Sequence, residues 1–78
     1  MSEQAINAVT TAIGRVMEIS TEGITTSTTF TSIKADSVAL ILIADVIEEM
    51  FPQYLVTNDV LKSVRTVGEL ATGLVARP

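Results

Sequence analysis

Cysteine, histidine and tryptophan are all absent from the 78-residue sequence. Without cysteine there is neither a disulfide staple nor a thiolate metal site. Without histidine the commonest general base, the Ser-His and Cys-His pairs and most zinc sites fall away together. Aromatic residues make up 4% of the chain against 47% hydrophobic residues in all, so the core is built from Ile, Val, Leu, Ala and Met. Basic residues are also scarce, five against nine acids for a net charge of −4. An acidic chain with no basic run is a poor nucleic-acid binder, since affinity there comes largely from cations that displace counterions at phosphates. Proteins with basic surfaces fit this charge better. The longest unbroken apolar run, Val38 to Ala44, is far short of the roughly 20 residues that span a bilayer. The opening MSEQAINAV lacks the basic region and long apolar stretch of a signal peptide. The expectation is a soluble cytoplasmic protein, a monomer, with neither nucleic acid nor membrane as partner and with no catalytic or metal-binding set of its own.

At this length one domain covering 1–78 is all the chain can hold. Ile6, Val9, Ile13 and Val16/Met17 recur at helical spacing after Ser2-Glu3 and predict an amphipathic helix over about residues 3–18. Gly14 inside it costs about 1 kcal/mol against alanine. The Thr- and Ser-rich stretch that follows, EISTEGITTSTTFTSIKA, keeps no helical spacing and reads as a long loop anchored by Ile24, Phe30 and Ile33. An edge strand is the alternative, because TTSTTFT also suits β-structure. DSVALILIADVIEEMF holds seven consecutive apolar residues, several of them β-branched, as a buried strand does. Its length without Gly or Pro, the Asp36-Ser37 N-cap pair and the interrupting Glu48-Glu49 argue for a helix over 37–51. Pro52 ends it. On that helix Leu40, Ile41, Ala44, Ile47 and Phe51 form the expected buried stripe, and Val38, Leu42, Asp45, Val46 and Glu49 lie on another side. QYLV reads as a turn, and a short helix follows over about 57–62, capped by Thr57 or Asn58. Thr66 with Glu69 three residues on is a capping-box pattern. Val67, Leu70, Ala71, Leu74 and Val75 then predict a last helix over about 66–76. The fold class is all-α, a small four-helix bundle of three main helices and one short one.

An Asp-Ser pair at a helix start, after a long loop and before a very apolar helix, resembles the acyl carrier protein superfamily. The order of long helix, long loop, second helix, short helix and last helix is that family's arrangement, so the resemblance covers nearly the whole chain. Ile33-Lys34-Ala35-Asp36-Ser37-Val38 stands where the family has Asp-Ser-Leu, often preceded by Leu-Gly-Ala or Leu-Gly-Gly. Glu48-Glu49-Met50-Phe51 is similar to the close of its second helix, and Arg65-Thr66-Val67-Gly68-Glu69-Leu70 to the start of its last. The resemblance implies a carrier rather than an enzyme, with 4'-phosphopantetheine held covalently on Ser37 by a phosphopantetheinyl transferase. Cargo would ride as a thioester on the arm's terminal thiol, and Asp36 would support the modification, partly by contacting the transferase's metal ion. A helix N-terminus, with unpaired N–H groups and partial positive charge, favours a phosphate at this position. Taken alone, Asp36-Ser37 reads as a plain helix cap, and only the order of helices around it points to a modified serine; capping is compatible with modification.

Two departures from the family pattern stand out. Lys34 occupies the usual glycine position, and Val38 replaces the leucine after the serine. The early second helix also lacks acids: Ala39 and Leu42 stand where fatty-acid carriers place them, and the first acid is Asp45. Val38, Ala39, Leu42 and Val46 therefore make an apolar strip that either packs against the Thr-rich loop or is exposed to dock a partner. Val38, Leu42, Asp45, Val46 and Glu49 are the candidate docking residues. Recognition by apolar fit is closer to polyketide or nonribosomal-peptide carriers than to the housekeeping fatty-acid carrier. The expected partners are acyltransferase, ketosynthase or adenylating enzymes, and the initial Met and compact length favour a freestanding protein. A peptidyl or aminoacyl carrier is the alternative within this class, and an unmodified helical interaction module the alternative outside it. Glu48-Glu49 and Asp59 read as solvated faces, and Met17 and Met50 as core filler.

Overall fold

The computed structural model describes residues 2–77. Four helices appear in the expected order: α1 (Glu3–Met17), α2 (Ser37–Met50), α3 (Asn58–Ser63) and α4 (Val67–Gly73). A single 3-10 turn, Thr31–Ile33, precedes α2. Two strands of two residues each, β1 (Tyr54–Leu55) and β2 (Val75–Ala76), pair antiparallel with Tyr54 opposite Ala76 and Leu55 opposite Val75. Neither strand was expected. β1 lies in the QYLV turn, and β2 takes residues assigned to the last helix, which stops at Gly73. Leu74 leaves α4 with an extended backbone (φ −65°, ψ 134°).

The core forms where α1 packs on both α2 and α4. Val9 and Ile13 of α1, Ile43 and Ile47 of α2, and Val67 and Leu70 of α4 are its largest fully buried side chains. Ile6, Met17, Leu40, Val46, Phe51, Val60 and Leu61 pack around it half-buried. Gly14 has a reason of its own: a Cβ there would come within 2.7 Å of Thr21 Cγ2, where the loop crosses α1.

The face of α2 differs from expectation. Leu40, Ala44, Ile47 and Phe51 face inward with Ile43, but Ile41 is 54% exposed. It follows Leu40 by about 100° of helix rotation, which carries it out of the stripe and beside Val38, Leu42, Asp45 and Glu49. Met50, expected in the core, is exposed as well, with its sulfur 3.6 Å from Arg15 Nη1.

The Thr-rich segment is a loop, not a strand; a single bridge joins Thr29 to Thr66. It closes the start of α4. The N–H groups of Val67 and Gly68 donate to the carbonyls of Thr28 and Thr26, each at 2.9 Å, and the N–H of Phe30 donates to the Arg65 carbonyl at 2.9 Å. The Thr66 hydroxyl accepts from the Glu69 N–H at 3.1 Å while the Glu69 carboxylate accepts from the Arg65 and Thr66 N–H groups, completing the expected capping box. Helix starts leave their first N–H groups without intrahelical partners, and here the loop supplies them.

Candidate functional site

The approach to Ser37 is built by a helix-ending turn. Lys34 adopts a left-handed backbone (φ 62°, ψ 30°), its N–H donates to the Thr31 carbonyl at 3.1 Å, and the Ala35 N–H reaches back to the Phe30 carbonyl at 2.8 Å. This pair of bonds is a Schellman motif, in which the left-handed residue is usually glycine. The apolar contact that accompanies such motifs is supplied by Phe30 and Ala35, both buried. Anchored in this way, the chain emerges at Asp36 in extended conformation, and the Asp36 carboxylate accepts from the Ala39 N–H at 2.9 Å to start α2.

Ser37 is the first residue of α2 and is exposed. Among the described residues its hydroxyl takes part in no hydrogen bond, and the N–H groups of Ser37 and Val38 have no partner. The two helix starts therefore contrast. That of α4 is closed by loop carbonyls, and that of α2 is capped once and otherwise open to solvent. An open helix N-terminus carries a partial positive charge, so an anion on the Ser37 hydroxyl is favoured there.

Two grooves meet at Ser37. One runs between α2 and α3, walled by Leu40, Ile41 and Leu61 with Asn58 and Lys62 at its edge. The other runs toward the loop and is lined by Thr29, Phe30, Thr31, Ala35, Asp36, Val64 and Arg65, with Leu40 shared between them. A third depression, between α3 and α4 around Val60, Ser63, Glu69 and Thr72, lies away from Ser37 and is shallow.

The sequence profile of the family described as PP-binding, the phosphopantetheine attachment site, matches residues 7–74. The chain belongs to this family. Its members hold 4'-phosphopantetheine covalently on a serine, and their domains are carriers rather than catalysts. No curated protein and no solved structure matches the chain. The residues around the start of α2 fit such a group: an unbonded hydroxyl, unpaired N–H groups for the phosphate, and grooves of mixed polar and apolar lining for an arm that carries both amides and methylenes. Among the described residues no cluster of three or more acidic, His or Cys side chains is placed to hold a metal ion, and no helix is long and apolar enough to cross a membrane.

The other candidate residues divide. Val38 and Leu42 are exposed at 66% and 48%, together with Ile41, and Asp45 and Glu49 continue the same outward face of α2. Ala39 and Val46 turn inward, half-buried against the core. The apolar strip is therefore split along the helix: one edge packs and the other faces solvent, with Ile41 replacing Val46. Glu48, read as solvated, is half-buried, and its carboxylate accepts from the Val56 N–H at 2.9 Å, tying the chain after Pro52 back to α2. Acidity alone gave no signal of this bond. Its position one turn from a proline that ends the helix was the available cue.

Proposed function

We propose that Ser37 is the serine that carries the 4'-phosphopantetheine arm, and that residues 1–78 form a single carrier domain for thioester-bound intermediates of polyketide or fatty-acid-type synthesis. The observation behind this reading is the open start of α2, where Ser37 stands exposed with an unbonded hydroxyl beside two unpaired N–H groups. When bound, the arm supplies a terminal thiol that the chain itself, lacking cysteine, does not possess. Ser37 presents the hydroxyl for modification. Asp36 holds the first turn of α2 in register through its bond to Ala39, and its carboxylate stands at the surface, where it supports the modification. Val38, Ile41 and Leu42 form the apolar part of the docking face for the phosphopantetheinyl transferase and for acyltransferase, ketosynthase or adenylating partners, with Asp45 and Glu49 as its polar continuation.

Intact mass after incubation with coenzyme A and a broad-specificity phosphopantetheinyl transferase tests the attachment. Gain of one phosphopantetheine by the parent chain and none by Ser37→Ala is the expected result. Absence of any gain with several active transferases overturns it and returns the chain to an unmodified interaction module. The preponderance of apolar over acidic residues at the start of α2 also suits a peptidyl or aminoacyl carrier. Charging the modified chain with panels of acyl and aminoacyl donors separates the two.

A further inference from the structure

The two grooves that meet at Ser37 differ in charge. Lys62 is the one charged residue among those lining the α2–α3 groove, where Asn58 adds an amide and Leu40, Ile41 and Leu61 form the wall. On the loop side Asp36 and Arg65 line the groove together, so its charges oppose one another, and the acid is the one adjacent to Ser37 in the chain. Lys34 lines neither groove, and Asp59, three residues before Lys62 on α3, is exposed and lies outside the groove lining. Among the described residues the Lys62 ammonium enters no hydrogen bond.

A phosphodiester on Ser37 places one negative charge where the two grooves diverge. Charges separated by less than the Debye length of about 8 Å at physiological ionic strength still act on one another at a surface, and a lysine is a flexible point charge that follows such an anion. We propose that Lys62 pairs with the phosphodiester borne by Ser37 and so turns the arm into the α2–α3 groove, away from the Asp36–Arg65 side. Lys62 is then a positioning residue, deciding which face of the carrier its cargo travels on. This rests on Ser37 carrying the arm.

The test uses the modified full chain with a nitroxide label on the arm's thiol, and reads broadening of backbone amides by NMR. The expected result is stronger broadening at Ile41, Asn58 and Leu61 than at Thr29, Thr31 and Arg65. Lys62→Gln lowers the ratio of the two sides by about two- to fivefold, the range for an exposed ion pair. Lys62→Arg retains the ratio, Arg65→Gln does not lower it, and added salt lowers it in the parent but not in Lys62→Gln. Equal broadening on both sides in the parent, or a ratio unchanged in Lys62→Gln, overturns the proposal. Intact mass separates the two possible failures. A chain modified at Ser37 but without the bias rejects only the role of Lys62, whereas a chain never modified at Ser37 overturns the carrier reading and this proposal with it.

Discussion

Replacing Lys34 by glycine should stabilise the protein, although it removes a side chain and a charge. Lys34 sits at φ 62° and ψ 30°, a conformation that costs an L-residue roughly 1–2 kcal/mol through the clash of Cβ with the following carbonyl. Glycine removes that clash and loses about 0.5–1 kcal/mol through the greater freedom of its unfolded chain. The difference favours Lys34→Gly by about 0.5–1 kcal/mol. For a domain of this size, where 1 kcal/mol moves Tm by roughly 4–8 °C, the expected rise is about 2–8 °C. Thermal and urea unfolding followed by circular dichroism at 222 nm read it directly. Lys34→Ala is the control: it removes the same charge and keeps Cβ, so it should change stability by less than about 0.5 kcal/mol. If alanine stabilises as much as glycine, the benefit comes from charge and the strain argument is wrong. If glycine destabilises, the Schellman geometry at Lys34 is wrong.

Asp36→Ala removes the cap of α2 and should lower stability by about 1 kcal/mol in urea unfolding, and Asp36→Asn should recover most of it, whatever either does to modification. Gly73→Ala should destabilise by about 1–3 kcal/mol despite alanine's better helix propensity, because the new Cβ would lie 2.7 Å from Val60 Cγ1; a gain in Tm would show that α3 yields freely. Leu70→Ala, at a fully buried position, should cost about 2–5 kcal/mol by chemical denaturation. Glu48→Ala leaves the Val56 N–H without its carboxylate and should cost about 1.5 kcal/mol, while Glu49→Ala, at an exposed position, should change little in the same measurement.

The helical order was legible because each helix, the short α3 included, carries its start signal in the sequence. Ser2, Asp36, Thr57 and Thr66 each accept from a backbone N–H three residues on. The capping box at Thr66 and Glu69 is a local pattern that needs no tertiary information, and it formed as read. Ile41 departs from the expected stripe for the opposite reason. In a run of seven apolar residues hydrophobicity carries no phase, so which face is buried depends on how α1 packs against α2. The strands were hidden because two-residue pairs joining Tyr54 to Ala76 are non-local, and Leu74 and Val75 also satisfy helical spacing. Of the site, the Asp36-Ser37 step was visible as a helix start. Lys34 was visible only as a departure from a family pattern, and its left-handed backbone gives the physical reason for the glycine it replaces. The grooves on either side of Ser37 depend on where α3 sits, which no local pattern encodes.

The pairing of β2 with β1 also determines how this molecule can be tethered. After α4 the chain runs back along Tyr54 and Leu55, and Arg77 is held there by its N–H to the Gln53 carbonyl at 2.9 Å and its Nε to the Tyr54 carbonyl at 3.1 Å. That puts the last described residues beside the end of α2, and a helix of 14 residues spans about 21 Å. A surface linkage, a fluorophore or a fused protein attached after residue 77 therefore hangs at the far end of α2 from Ser37 and leaves the site open on both grooves.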